Sequence, residues 1–423
     1  MKRARYLAVG AALALAATAC GDSASESGLA PTVLSGLESS STSGATTSAP
    51  TPDDDPTEPT TTSTPPTTAS TLPPVPASSF DVDTMVDRNV SVASIVVADD
   101  DGRFLGTAID REGVGCEGTA PPYYVKVDGG GTVSETGGAN GERTYAGYPT
   151  ASPNRRQVLD VGSCEGFLGE LVLYDLAPDL GLEGGIRIDT GDAISGDASW
   201  TAEGFITMFL AADYPFGNPS QNDENDEPTV AEYLVNPRSG ERTQSGMLDQ
   251  FHYGALRLPD GRLVYTSFEA EVKVVVGSRA GEPLHQYSAS SFATSPDTRW
   301  LLVWDWVFDA SEQISIELVS LETGESMELA AGSSLGAVWS DDSQRVAFSN
   351  GLETYVYDVS STDMITLGGV EPEGCEDDSF VVWGRVPLAF TPSGDLYVGD
   401  AVCDESTDGY PFSEFKVQQV SFR

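Results

Sequence analysis

Between Arg5 and Arg88 the chain carries no lysine or arginine, and its 423 residues include only two histidines, His252 and His285. Basic side chains number 22 against 65 acidic ones, a formal net charge of -43. A surface of that sign repels phosphate backbones, which excludes nucleic acid as a partner. It suits cations, basic partners or a saline habitat. Two separated histidines cannot build a His-rich metal centre. The five cysteines form no CxxC pair, so neither a zinc ribbon nor a thioredoxin-type centre is indicated. The apolar run at residues 7–19 is too short to cross a bilayer as a helix. Beyond residue 85 no long amphipathic stretch with a 3.6-residue period occurs, which argues against an α/β fold.

What the N-terminus does contain is a basic cluster, Lys2, Arg3 and Arg5, followed by that apolar run and small residues. This is the layout of a cleaved export signal over residues 1–19. Ala17-Thr18-Ala19-Cys20, followed by Gly21, resembles the lipobox of bacterial lipoproteins. The resemblance implies that Cys20 becomes the mature N-terminus and carries lipid, holding the protein on the outer side of the cell membrane. Removing the signal leaves 19 basic and 65 acidic side chains, a net of -46. Residues 20–80 are rich in Ser, Thr, Pro and Gly, with runs such as "TPDDDPTEPTTTSTPPTTAS". Such a segment buries too little apolar surface to offset its ordering entropy and reads as a disordered tether. If fully flexible, it reaches about 45 Å. Its Thr and Pro density also permits O-glycosylation.

Residues 81–423 repeat a short unit. "RLPDGRLVYTSF" at 257–268, "TSPDTRWLLVWD" at 294–305, "WSDDSQRVAFSN" at 339–350 and "FTPSGDLYVGDA" at 390–401 share a turn between two strands. Looser copies begin at 98, 151 and 200. Aligning one turn residue gives Asp100, Pro153, Ala202, Pro259, Pro296, Asp341 and Pro392, spaced 53, 49, 57, 37, 45 and 51 apart. A second turn recurs in "SGER", "AGEP" and "TGES" at 239, 280 and 323. Two turns per unit mean four strands, the blade of an all-β propeller. Seven blades fit best, with six or eight left open by the weak first unit. The last unit has only two clear strands, so a strand from 78–90 is expected to complete it. "SPDG"-like turns in blades resemble those of TolB-type and WD-repeat-like propellers of exported bacterial proteins.

Apparent catalytic motifs do not hold together. "GSSLG" at 332–336 fits the nucleophile-elbow pattern around Ser334, yet a strand-like "AVW" follows and both histidines precede it. "DGGGTV" at 128–133 lacks the Gly-Lys-Ser/Thr of a phosphate loop and sits where a hairpin turn belongs.

The remaining signal is loop placement. The A–B and C–D turns of a blade lie on one face, and the B–C and D–A connections on the other. Cys116, Cys164, Cys375 and Cys403 all map to the second face, an even number in an oxidising compartment. Three pairings are possible, and proximity in the chain favours Cys116–Cys164 with Cys375–Cys403. The long loop at 213–228 puts Asp213, Tyr214, Asp223, Glu224, Asp226 and Glu227 there, and Trp306 and Asp309 approach it. A Cys375–Cys403 bridge would gather Asp377, Asp378, Asp404 and Glu405, a density of carboxylates that can hold Ca²⁺. Mutually solvated acids are the alternative there, and no other cofactor is expected. By contrast, Asp297 in "TSPDTRW" reads as a turn residue and Trp300 as a strand residue packed between blades. Two functions fit: a binding or scaffold module presenting the acidic face to a protein or cell-wall partner, and a carboxylate-based enzyme acting on glycans. A close pair of buried acids without a basic partner would favour the enzyme.

Overall fold

A computed structural model describes residues 81–110, 122–136, 144–164, 167–191, 193, 195–211, 230–248, 253–267, 272–305, 315–332, 334, 336–350, 353–369, 384–403 and 412–423. These form seven four-stranded antiparallel sheets and no helix. The first strand, β1 (Val82–Val92), belongs to the last blade. Blade 1 is β2 (Ser94–Ala98), β3 (Phe104–Ile109), β4 (Pro122–Val127) and β5 (Val133–Glu135). Blade 2 is β6 (Tyr148–Ala151), β7 (Gln157–Cys164), β8 (Phe167–Leu176) and β9 (Leu182–Ile188). Blade 3 is β10 (Ser195–Trp200), β11 (Ile206–Ala211), β12 (Val230–Val235) and β13 (Arg242–Leu248). Blade 4 is β14 (Tyr253–Arg257), β15 (Leu263–Ser267), β16 (Lys273–Gly277) and β17 (Pro283–Tyr287). Blade 5 is β18 (Ser291–Thr294), β19 (Trp300–Trp304), β20 (Ser315–Ser320) and β21 (Ser326–Ala331). Blade 6 is β22 (Ala337–Trp339), β23 (Arg345–Ser349), β24 (Thr354–Asp358) and β25 (Met364–Gly368). Blade 7 is β26 (Arg385–Phe390), β27 (Leu396–Cys403), β28 (Phe412–Phe422) and, on its outer edge, β1.

The expected N-terminal strand therefore closes the ring, starting at Val82 and pairing with β28 from Val82↔Phe422 to Val92↔Phe415. All seven aligned residues, from Asp100 to Pro392, stand in A–B turns. Gly240, Gly281 and Gly324 sit in C–D turns at φ of 71°, 91° and 75°, a region that favours glycine.

The second strand of each blade is buried on both faces, and alternation sends its side chains into different seams. In β11 every residue is buried. Ile206, Met208 and Leu210 pack toward blade 2, while Phe209 and Ala211 pack toward blade 4. Burial on both sides explains why these strands read as continuous apolar runs. Seven apolar clusters result among the described residues, one for each seam. The blade 5–6 cluster contains Trp304, with Trp300 and Trp339 packed against it. Trp300 is thus a seam residue, as its spacing suggested. Ser334 is fully buried, bonded to its own loop at Gly336, and followed by β22 rather than a helix.

Candidate functional site

Two regions hold polar side chains in defined geometry: the face formed by the A–B and C–D turns, and the seams between blades. On the turn face, the corner residue of each A–B turn has positive φ. Four turns use Gly102, Gly204, Gly261 and Gly394, and three use Arg155, Thr298 and Ser343 at 54°, 56° and 60°. A side chain there costs roughly 1 kcal/mol, so its presence calls for a compensating contact. Ser343 accepts the Asp297 N–H of blade 5 at 2.9 Å.

Arg155 reaches much further. Its Nη1 donates to the Ala98 carbonyl of blade 1 at 2.5 Å, and its Nη2 to the Phe390 carbonyl of blade 7 at 3.0 Å. The same Nη2 meets Asp341 of blade 6 at 2.6 Å. Blades 2 and 6 are as far apart as two blades of a seven-membered ring can be, so this guanidinium crosses the channel mouth. Asp100 joins the group by accepting the Ser393 N–H at 2.8 Å. Burial pushes the Asp100 carboxyl up, but the Ser393 and Thr391 donors and the Arg155 charge outweigh it and hold it below the ordinary value. Beside this clasp, an open cleft of ≈ 680 Å³ lies between blades 1 and 2. Val97, Leu176, Pro178 and Leu180 line its apolar side, while Arg103, Arg155 and Arg156 share its polar side with Asp99 and Asp175, Arg103 bonding Asp99 at 2.7 Å.

The seams hold acids of the opposite character. Asp160 on β7 is 5 % exposed and faces Tyr124 of blade 1. Burial raises its pKa against the pull of the Gly147 N–H, at 2.8 Å. Asp197 on the innermost strand of blade 3 is half-buried. Burial pushes it up to about 6, although the N–H groups of Ala198, Gly254 and Ala255 favour its charged form. The last two belong to blade 4, so Asp197 faces the innermost strand of the next blade. Asp160 lies in the blade 1–2 seam and Asp197 in the blade 3–4 seam, with blades 2 and 3 between them, so they do not form a catalytic pair.

Other seam charges are neutralised in place. Glu232 takes Arg257 through both oxygens at 2.9 and 2.6 Å. Arg385 grips Asp400 at 2.7 and 3.1 Å and also donates to Gln418 Oε1 and the Leu367 carbonyl.

Cys20, Cys116, Cys375, Asp213, Tyr214, Asp223, Glu224, Asp226, Glu227, Trp306, Asp309, Asp377, Asp378, Asp404 and Glu405 lie outside the described residues. Cys164 and Cys403 end β7 and β27 at the B–C side, and their side chains are likewise outside the description. Among the described residues, no group of three or more His, Cys, Asp or Glu side chains could hold a metal ion, and no helix is long and apolar enough to cross a membrane. Sequence reasoning passed over Arg155 and Asp197. The signal for Arg155 was available, since "SPNRR" carries arginine where four of the other six repeats carry glycine. Asp197 carried no such mark.

No family model and no curated protein matches the chain. Solved structures do. An oligogalacturonate lyase in complex with manganese is 13% identical, with a TM-score of 0.50 over 82% of this chain and 96% of that one. The oligogalacturonate lyase of Vibrio parahaemolyticus is 12% identical, with a TM-score of 0.48 over 80% and 91%. TolB of Acinetobacter baumannii is 16% identical, with a TM-score of 0.38 over 64% of each chain. What the first of these shares with this chain is the fold. Fold at this identity does not carry an activity with it.

Proposed function

We propose that this protein is an extracytoplasmic lipoprotein whose propeller is a binding and scaffold module, anchored through lipid on Cys20. The observation that carries the reading is the separation of Asp160 and Asp197. Among the described residues, the two carboxylates whose pKa burial raises are held singly, in different seams, by backbone N–H donors. They serve as joints of a rigid frame rather than as a reacting pair. The chain enters the propeller at Asp81, whose backbone bonds Arg423 at the C–D end of blade 7. The face opposite these turns, formed by the B–C and D–A connections, is the one proposed to meet a partner. On that face the proposed contact set is Asp213, Tyr214, Asp223, Glu224, Asp226, Glu227, Trp306 and Asp309. Asp377, Asp378, Asp404 and Glu405 there are the proposed Ca²⁺ ligands, gathered by a Cys375–Cys403 bridge.

The test is affinity capture from envelope extracts with the full mature chain and a variant reversing Asp223, Glu224, Asp226 and Glu227 to Lys. Loss of a captured protein or wall polymer is expected. An unchanged capture profile overturns the acidic-face reading. Cleavage of polysaccharide by the wild type, lost with an acid substitution, would establish the enzyme instead. Cys20→Ala should move the protein from the membrane to the soluble fraction. A melting temperature unmoved by millimolar Ca²⁺ removes the metal site.

A further inference from the structure

Methionine is usually a core residue, yet here it stands mostly outside. Of six methionines, Met1 is the first residue, and Met208 in β11 is fully buried. The other four are Met85, Met247, Met327 and Met364, exposed at 39%, 52%, 46% and 43%. Each lies on the outermost strand of a different blade: β1 of blade 7, β13 of blade 3, β21 of blade 5 and β25 of blade 6. They are spread around the rim, so they do not form one apolar patch for a single partner. Two of the sulfurs already face donors. Gln244 Nε2 donates to Met247 Sδ at 2.8 Å, and Arg385 Nη1 to Met85 Sδ at 3.7 Å. A thioether is a weak acceptor, whereas a sulfoxide oxygen is a strong one.

We propose that these four rim methionines are sites of reversible oxidation to sulfoxide on the folded protein, with peroxide as the oxidant and a dithiol, acting through a methionine sulfoxide reductase, as the reductant that returns the thioether and releases water. A sulfur lone pair attacks one peroxide oxygen, the S–O bond forms and the O–O bond breaks. The second oxygen leaves as water or alcohol with the proton, so sulfur gives up two electrons and the peroxide accepts them. At the rim the new oxygen is solvated, and at Met85 and Met247 it meets a donor already in place. The same oxygen on Met208 would be a buried polar atom in the blade 2–3 seam, so that residue is shielded as long as the fold holds. The rim thus takes up oxidant and turns from apolar to polar while the seams stay intact. None of this depends on the proposed binding role.

The experiment exposes the full mature protein to excess hydrogen peroxide in native buffer, with peptide mass mapping over time and thermal melting of the product. One added oxygen is expected on each rim methionine at a rate at least roughly ten times that of Met208. The melting temperature should stay within about 2 °C, and treatment with a methionine sulfoxide reductase should remove the oxygens. Oxidation of Met208 at the rim rate, or melting that collapses as the rim is oxidised, overturns the proposal. A variant with all four rim methionines changed to Leu should melt like the wild type and gain no oxygen at those peptides. If that variant instead melts far lower, the rim side chains are structural and the proposal fails.

Discussion

Aspartates at the turn face and aspartates in the seams respond to the fold in opposite directions. At the turns, the Thr132 N–H holds Asp128 low, aided by Thr132 Oγ1 and the Gly130 N–H, and the Lys126 ammonium does so for Asp179, aided by the Gly181 N–H. Burial raises Asp358, but donors from Ser360 and Ser361 more than reverse it. In the seams, burial dominates and lifts Asp160 and Asp197 despite their backbone donors. The difference lies in where the donors and the water are. A turn offers several N–H groups and open solvent, so charge is favoured. A seam offers a few backbone donors and little water, so burial there disfavours charge.

The largest expected effect comes from leaving a seam charge unpaired. Asp400 and Arg385 have side chains only 13% and 7% exposed. Asp400→Asn leaves the guanidinium in the blade 6–7 seam with neutral partners, and unfolding in urea should show a loss of roughly 3–5 kcal/mol. Replacing both, Arg385→Met with Asp400→Leu, should recover most of that loss, because no uncompensated charge remains. If the double variant is as unstable as the single one, the pair matters for strand register rather than for charge balance.

Arg155 tests the turn face with the next largest effect. Arg155→Ala removes three charge-assisted contacts while keeping a Cβ at positive φ, for a loss of about 2 kcal/mol. Arg155→Gly removes the same contacts but matches the corner used by Gly102, Gly204, Gly261 and Gly394. Its loss should be smaller by roughly 1 kcal/mol in the same denaturant titration. Equal losses would mean that the corner conformation costs nothing and the contacts account for everything.

The blades were legible because each repeats two local demands, a polar turn with a positive-φ corner and a strand apolar on both faces. Those demands appear in "SPDT", "SDDS" and "TPSG" and in runs such as "ITMFLA". Closure by the N-terminal strand followed from a last unit short of strands. The joints between blades were not legible. The partners of Arg155 lie 57, 186 and 235 positions away, and the donors that hold Asp197 belong to the next blade. No window of sequence contains both ends of such a contact. Charge density drew attention to acidic loops, whereas the acids that the described structure perturbs most are isolated residues inside strands.

Asp197 turns the comparison into a pH dependence. Its folded pKa of about 6 lies above the ordinary 3.8, so the folded state binds the extra proton between those values. Stability from this group is full below about pH 4, falls as pH rises toward about 6, and is flat beyond. The full shift is worth roughly 3 kcal/mol, reduced to about 2 because the side chain keeps some contact with water. Asp197→Asn keeps an oxygen for the three N–H groups and should therefore be more stable than wild type at pH 7, with the advantage vanishing near pH 4. A constant difference across that range would show that Asp197 is charged at no cost.

The smallest effect belongs to Lys126 and Asp179, which meet at 2.6 Å with side chains 28% and 60% exposed. Lys126→Met should cost under about 1 kcal/mol at neutral pH, since water screens the pair. Its sharper signature is the sign of the pH response. A lowered carboxylate adds stability above its unfolded pKa and loses it as pH falls through the folded one. Without Lys126, Asp179 returns toward its ordinary value, so the difference from wild type should shrink as pH drops through the carboxylate range. The Asp197→Asn difference shrinks over the same descent for the opposite reason: there the wild type recovers as its seam acid takes up a proton, while at the turn it gives up an advantage. Denaturant titrations of both variants from pH 3 to pH 8 would separate the two, because the wild-type curve must rise toward acid at the seam's expense before it falls at the turns. If wild-type stability instead declines steadily from pH 7 downward, the turn carboxylates outweigh the seam acids throughout.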